Sequence, residues 1–94
     1  MKKYEIMYIV RPTLDQEAIA KEVAGVADIF AKNDSKVLET KEWGLRELAY
    51  EIEKNRKGYY VVLNVEATKK AIEEFNRVVG YNENIIRYIV VNAE

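Results

Sequence analysis

The chain lacks both cysteine and histidine among its 94 residues. Without cysteine it can form no disulfide, thiolate zinc site or thiol nucleophile. Without histidine it loses the commonest general base and the commonest metal ligand. Its four glycines are dispersed and form no phosphate-binding loop, and its one serine, Ser35, falls in an expected turn. The composition therefore argues against an enzyme, and we expect neither a metal nor a cofactor.

Long apolar runs are also missing. No stretch approaches the roughly 18 residues that indicate a membrane span, and the charged N-terminal segment does not resemble a signal peptide. We therefore expect a cytoplasmic protein that does not enter a membrane. Hydrophobic residues make up 49% of the chain and the net charge is -1. This composition predicts one folded domain over residues 1–94, in which any anionic partner is met by a local patch.

Hydrophobic periodicity predicts where the elements lie. Residues 3–11 alternate as a strand that Pro12 ends, with the even-numbered apolar residues on one face. Residues 15–33 have the apolar spacing of a helix, for which Thr13 is the expected cap. Strands follow at 36–52 and 59–67, joined by a hairpin tip at 54–58. A second helix, capped by Thr68, is expected to end at Gly80 before a last strand at 85–92.

This order is strand, helix, strand, strand, helix, strand. Right-handed crossovers turn it into a split βαβ arrangement, the ferredoxin-like α+β fold. We expect a four-stranded antiparallel sheet with two helices on one face. That architecture hosts sensors, enzymes and RNA-binding proteins alike, so function must be inferred from particular residues.

Two surface features suggest partners. The first is cationic: Lys54, Arg56 and Lys57 make the hairpin tip basic, so it could contact phosphates, although charges are ordinary in exposed turns. The second is apolar and lies on the sheet face opposite the helices, with Met7, Ile9, Tyr60 and Val62. An uncovered face of this kind predicts a protein partner or self-association, unless neighbouring side chains shield it.

The segment from Trp43 to Ile52 carries the most specific pattern, Trp-Gly-x-Arg-x-Leu-Ala-Tyr-x-Ile. It is preceded by a first strand that opens Lys3-Tyr4-Glu5 and closes at Pro12. It is followed by Gly58-Tyr59 and by Ile85-x-Arg87-x-x-Val90-Val91 in the last strand. Together, and in this order, these motifs resemble the family of bacterial small-subunit ribosomal protein six.

The resemblance implies a structural ribosomal protein that binds small-subunit ribosomal RNA in the platform region, as a heterodimer with ribosomal protein eighteen. It implies that Gly44 permits a bulge in the second strand. The chain departs from the family pattern at Glu47, where lysine or arginine is common. The alternative is a ligand-sensing or dimerisation module of the same fold. The residues expected to contact RNA are Lys2, Lys3, Arg46, Lys54, Arg56, Lys57 and Arg87. The residues expected to contact the protein partner are Met7, Ile9, Trp43, Tyr60 and Val62.

Overall fold

The computed structural model describes residues 2–52 and 54–93, which contain six elements in the predicted order. The strands form one sheet in the order β2-β3-β1-β4, and every neighbouring pair is antiparallel. The split βαβ prediction is therefore confirmed. The elements are β1 (Lys2–Val10), α1 (Gln16–Lys32), β2 (Lys36–Ile52), β3 (Asn55–Ala67), α2 (Lys69–Gly80) and β4 (Ile85–Asn92).

The core lies between one face of the sheet and the two helices. Ile6, Tyr8 and Val10 of β1 are fully buried there, as their alternation predicted. They pack with the buried residues of both helices, among which the Phe30 and Phe75 rings stack at a centroid distance of 5.6 Å. Since both helices bury their apolar stripes against the same side, the opposite face of the sheet is left for other contacts.

The first helix begins differently from the prediction. Thr13 is not its cap: Asp15 has an extended backbone immediately before the first helical residue, and its Oδ1 accepts a hydrogen bond from Ala18 N at 2.8 Å. Both residue types make good caps, and the one adjacent to the helix prevails. Thr68 does cap α2, accepting from Ala71 N at 3.1 Å. Gly80 is the last helical residue and Tyr81 is the C-cap, so Gly80 is not the predicted terminator.

The hairpin between β2 and β3 is longer than predicted. Strand β3 begins at Asn55, so Arg56 and Lys57 belong to the ladder and Lys54 alone, with φ 67°, is a described turn residue. The polar run with its glycine is typical of a turn, but pairing such as Glu47 with Lys57 extends the backbone hydrogen bonds past it. The hairpin therefore ends in paired strands and not in a loop.

Tyr8 gives the core a pH-dependent weakness. Its ring is fully buried, and its hydroxyl has no hydrogen-bond partner within residues 2–52 and 54–93. Burial first, and then the charges of Glu42 and Glu22, raise the pKa of the Tyr8 phenol above its ordinary value. The folded protein therefore holds this phenol neutral at pH values where the unfolded chain releases the proton.

Replacing Tyr8 with phenylalanine is expected to raise the free energy of unfolding by about 1 kcal/mol at neutral pH, because it removes an unsatisfied buried hydroxyl. The stability that comes from the raised pKa is fully present below about pH 10, which is the pKa of tyrosine in the unfolded chain. As the pH rises further, the wild-type chain should lose about 1.4 kcal/mol per pH unit relative to Tyr8→Phe. Urea unfolding between pH 7 and pH 11 measures this. Tyr81→Phe, at an exposed tyrosine, controls for the loss of a hydroxyl. A Tyr8→Phe advantage that stays constant across the series would contradict the prediction.

Candidate nucleic-acid and protein interface

The face of the sheet opposite the helices has an apolar centre. Because paired residues of antiparallel strands point to the same side, the register places Met7 beside Val62 and Ile89. It likewise places Ile9 beside Tyr60 and Arg87. Four of the predicted partner residues, Met7, Ile9, Tyr60 and Val62, therefore lie together on this face.

The end of the β2–β3 hairpin folds back across this face. We call residues 45–52 and 54–58 the arm. Together with Met7, Ile9 and the neighbouring strands, its side chains Leu48, Tyr50 and Ile52 line a cleft of about 230 Å³. Ile9 is only 3% exposed although no helix covers it. The chain therefore covers part of its own sheet face with the arm.

Gly58 allows the arm to approach closely. A Cβ placed on this residue would lie 2.2 Å from Ile9 Cγ2, which is well inside van der Waals contact. The backbone at Gly58 is not left-handed, so the glycine is required for space and not for conformation. Its predicted role as a turn residue is wrong. It comes next to the last β1–β3 pair, Val10 with Tyr59, and its missing side chain leaves room for Ile9 of the neighbouring strand.

Arg87 fixes the arm from the far edge of the sheet. Its Nη1 donates a hydrogen bond to the Tyr50 hydroxyl, and its guanidinium carbon lies 5.7 Å from the centre of the Tyr50 ring. Strand β2 forms one edge of the sheet and β4 the other, so this contact crosses the whole face. Arg87, a predicted RNA contact, is thus already engaged with Tyr50, which belongs to the Trp43–Ile52 pattern.

A bulge in β2 carries the exposed tryptophan onto the same face. The register with β3 shifts between Glu42 and Gly44, and Gly44 has a φ of 83°. The bulge expected at this glycine is therefore present. As a result the Trp43 ring stacks on Tyr60, with centroids 6.3 Å apart and planes within 7° of parallel. Half of the Trp43 surface remains exposed.

A depression beside this stack has charged residues at its border: the register puts Arg46 on the same side of β2 as Tyr60, and it puts the Glu47 side chain on the other side with Lys57. Trp43, Tyr60, Arg46 and Glu47 line a shallow depression of about 450 Å³, which we call the Trp43 pocket. Arg46 Nε donates to the Trp43 carbonyl oxygen at 3.2 Å, which holds the arginine side chain against the backbone of the bulge. Two of the other acids of β2 have partners: Glu39 pairs with Lys41 at 3.8 Å, and Glu42 accepts from the Tyr59 hydroxyl at 3.2 Å. Within the described residues, Glu47 has no such partner.

The predicted cations do not form one patch. Lys54, Arg56 and Lys57 lie at the tip of the arm, whereas Lys2 pairs with Ala67 at the opposite end of β3. Lys57 and Ala67 are ten residues apart along that strand, or roughly 30 Å. An RNA segment that contacts the cations of the arm tip would therefore have to cross the sheet to contact Lys2 as well.

Exposed apolar residues on β4 were missed by the sequence reasoning. Ile89 and Val91 alternate with Arg87 along the strand and lie on the same face as Met7. Both are exposed, whereas Ile9 and Val62 are buried. Their two-residue spacing from Arg87 could have revealed them, because alternate residues of a strand share a face. The sequence analysis used this rule for β1 but not for β4. The accessible apolar surface therefore lies nearer the β4 edge than predicted.

Metal-binding clusters and membrane-spanning helices are absent from the described part of the chain. Residues 2–52 and 54–93 contain no group of three acidic residues placed to hold a metal ion. No described helix is long and apolar enough to cross a bilayer. The arrangement can offer apolar contact, aromatic stacking and separated positive charges, which are means of binding.

Comparison with known proteins identifies the family. The family described as ribosomal protein S6 matches residues 3–92. The small ribosomal subunit protein bS6 of Phytoplasma mali (strain AT) is 52% identical over 94 residues, covering all of both chains. The crystal structure of 30S ribosomal protein S6 from Thermotoga maritima superposes with a TM-score of 0.92 at 26% identity, covering 97% of this chain and 86% of that one. The chain therefore belongs to the ribosomal protein S6 family.

Proposed function

We propose that this chain binds small-subunit ribosomal RNA in the platform region, as a heterodimer with ribosomal protein eighteen, on ribosomes of the cytoplasm. Its family makes it a structural protein of the small ribosomal subunit and not an enzyme, which agrees with the absence of histidine and cysteine. The proposal concerns the RNA and the protein that the chain contacts in the small subunit. A ligand-sensing module, the alternative left by the fold, is not supported by the family.

The sheet face opposite the helices carries the proposal. It combines exposed apolar side chains at the β4 edge with the aromatic stack of Trp43 and Tyr60 at the β2 edge. Apolar centres with polar rims are typical of protein interfaces. We assign the β4 side, with Met7, Ile89 and Val91, to the protein partner. The same surface could support self-association when the partner is absent.

Positive charge is distributed so that several RNA segments would be contacted at once. The arm tip, Arg46 and the Lys2–Lys3 pair are separated along the sheet, and the net charge of the chain is only -1. Such a protein gains little from bulk attraction and depends on local phosphate contacts. A basic partner would supply the remaining attraction, which is why we place RNA binding in the heterodimer.

Binding to a platform fragment of small-subunit RNA, with and without ribosomal protein eighteen, tests the proposal across a salt series. We expect tight, salt-dependent binding when both proteins are present. Arg46→Ala should weaken it by about 1 kcal/mol and lower the salt dependence by about one counterion. Arg87→Ala should also weaken it, through loss of a charge and release of the arm. The control is Arg77→Ala, which removes an arginine that pairs with Glu74 on α2. Binding that is absent throughout, or indifferent to salt, would contradict the proposal.

The partner surface has its own matched pair of variants. Val91 and Leu38 are both 52% exposed, on the two edge strands of the sheet. Val91→Glu should weaken the heterodimer by about 1–3 kcal/mol, because it places a charge in an apolar contact. Leu38→Glu should leave it within about 0.5 kcal/mol. Titration calorimetry with ribosomal protein eighteen measures both. Equal losses for the two variants would show that the partner does not use the β4 edge.

A further inference from the structure

The Trp43 ring is an exposed aromatic surface with a defined orientation. The bulge in β2 brings it to the sheet face opposite the helices, where its plane lies within 7° of the Tyr60 ring. Gly44 is opposite Tyr60 in the ladder and has no side chain to come between the two rings. Half of the Trp43 surface faces solvent. A further flat group can therefore stack on Trp43 without any rearrangement of the ring.

Positive charge follows the β2 side of this face. Among residues 36–47, the ladder with β3 places three cations on the face, namely Lys36, Lys41 and Arg46. It also places Glu39 there, which pairs with Lys41, whereas it turns Glu42 and Glu47 to the other side. At the far edge, β4 presents the exposed apolar residues Ile89 and Val91 on the same face. The β2 edge therefore suits an anionic partner and the β4 edge an apolar one.

Arg46 brings a guanidinium to the aromatic surface itself. It lines the Trp43 pocket together with Trp43 and Tyr60, and its Nε is held by the carbonyl oxygen of Trp43. Its two terminal nitrogens have no acceptor within residues 2–52 and 54–93. The pocket therefore combines a flat aromatic ring with a cation that is anchored to the same residue and still has donors to offer.

A nucleotide of single-stranded RNA carries the two groups that this pocket can bind. Any unpaired base offers a flat face for stacking, and its phosphate is joined to it through a single ribose. A guanidinium binds a phosphate through paired hydrogen bonds. Because the Glu47 side chain points to the other side of β2, the stacked base meets no carboxylate that would read its edge. We therefore expect stacking without strong base preference.

A protein segment fits the pocket less well. An arginine from a basic partner could stack on Trp43, but it would bring a second positive charge next to Arg46. An acidic side chain could pair with Arg46, but it has no flat apolar face to cover the ring. Stacking and negative charge within one small unit are characteristic of a nucleotide.

We infer that the Trp43 pocket binds one unpaired nucleotide of RNA, with its base stacked on Trp43 and its phosphate on Arg46. The inference rests on the proposed RNA-binding function and gives it a particular site. It assigns Trp43 and Tyr60, which the sequence predicted at the protein partner, to the RNA. The β2 edge of the sheet then faces RNA, and the β4 edge faces the protein.

The chain contains one tryptophan, so its fluorescence reports on this pocket directly. We would titrate the full chain at low salt with a uridylate pentamer and with a pentamer of the same charge that lacks all of its bases. The uridylate strand should quench Trp43 and bind about tenfold more tightly, because only a base can stack. An adenylate pentamer should quench Trp43 as well, since every base has a flat face.

Variants separate the base contact from the phosphate contact, with labelled strands read by anisotropy. Trp43→Leu keeps an apolar side chain and should lose about tenfold in affinity for uridylate and nothing for the abasic strand. Arg46→Ala should weaken both strands alike, by about fivefold, because both carry phosphates. Leu38→Ala is the matched control, since Leu38 lies at the other register shift of β2 and is as exposed as Trp43. It should leave both affinities unchanged.

The remaining outcomes distinguish this site from the proposed function. Equal affinity for the uridylate and abasic strands would overturn the inference, even if the platform fragment still binds. If Trp43→Leu leaves RNA binding unchanged and weakens the binding of ribosomal protein eighteen in calorimetry, the ring belongs to the protein partner and the inference is wrong. Binding of uridylate that depends on Trp43, without any binding of the platform fragment, would support this site and contradict the proposed function.

Discussion

Replacing Phe75 with alanine is expected to lower the free energy of unfolding by about 3–5 kcal/mol. The Phe75 ring is fully buried and lies between three elements of the core. It stacks on Phe30 of α1 and meets Tyr88 of β4 edge-on, with a centroid distance of 5.8 Å. Truncation would remove both aromatic contacts and leave a cavity where α2 joins α1 and the sheet.

Chemical denaturation of Phe75→Ala measures the loss. Because small domains have total stabilities of about 5–15 kcal/mol, the variant is expected to be close to unfolding at physiological temperature. Tyr81→Ala is the matched control. It also removes an aromatic ring, but Tyr81 caps the end of the same helix and is 83% exposed. That variant should lie within about 0.5 kcal/mol of the wild type. Similar shifts for the two variants would mean that the packing around Phe75 is not the core of this fold.

The position of Phe75 was predictable because it follows from local periodicity. Its spacing from Ala71 and Val79 gives one buried stripe on α2, as Ile6, Tyr8 and Val10 give one buried face on β1. Each of these patterns depends on residues a few positions apart. The element order then restricted the topology to the split βαβ fold, because crossovers are right-handed.

The site was only partly predictable, because its geometry depends on contacts between distant residues. Alternation correctly placed Ile9 on the face opposite the helices, but it could not show that the arm buries it. The bulge at Gly44 was expected, yet the stacking of Trp43 on Tyr60 depends on the register with β3. The contact between Tyr50 and Arg87 joins residues 37 positions apart and has no local signature.

The second large effect is expected at Gly58, where the fold of the arm depends on a missing side chain. Gly58→Ala should lower the free energy of unfolding by about 3 kcal/mol. Its new Cβ would lie 2.2 Å from Ile9 Cγ2, and Ile9 is β-branched and cannot easily turn that methyl away. Either the arm must lift from the sheet or β1 must shift within the core.

Gly44→Ala is the matched comparison, because the two glycines are needed for opposite reasons. At Gly44 nothing lies within 4 Å of an added Cβ, but the φ of 83° is strained for alanine. The cost there should be about 1–2 kcal/mol and should arise from the backbone alone. Removing Ile9 Cγ2 with Ile9→Ala would relieve the clash at position 58 and leave the strain at position 44 unchanged.

A double-mutant cycle therefore separates the two mechanisms. The cost of Gly58→Ala should be at least about 1 kcal/mol smaller in the Ile9→Ala background than in the wild type. The cost of Gly44→Ala should be the same in both backgrounds. Hydrogen exchange adds a structural measurement: in Gly58→Ala the amides of the arm should lose protection before those of the core strands. If the costs at Gly58 and Ile9 simply add, the arm does not rest on Ile9. The cleft between Leu48, Tyr50 and Arg87 would then lack its structural basis. A coupling between Gly58→Ala and Ile9→Ala would establish that Gly58 allows the arm to pack against the sheet. It would show that the contact between Arg87 and Tyr50 depends on the same glycine.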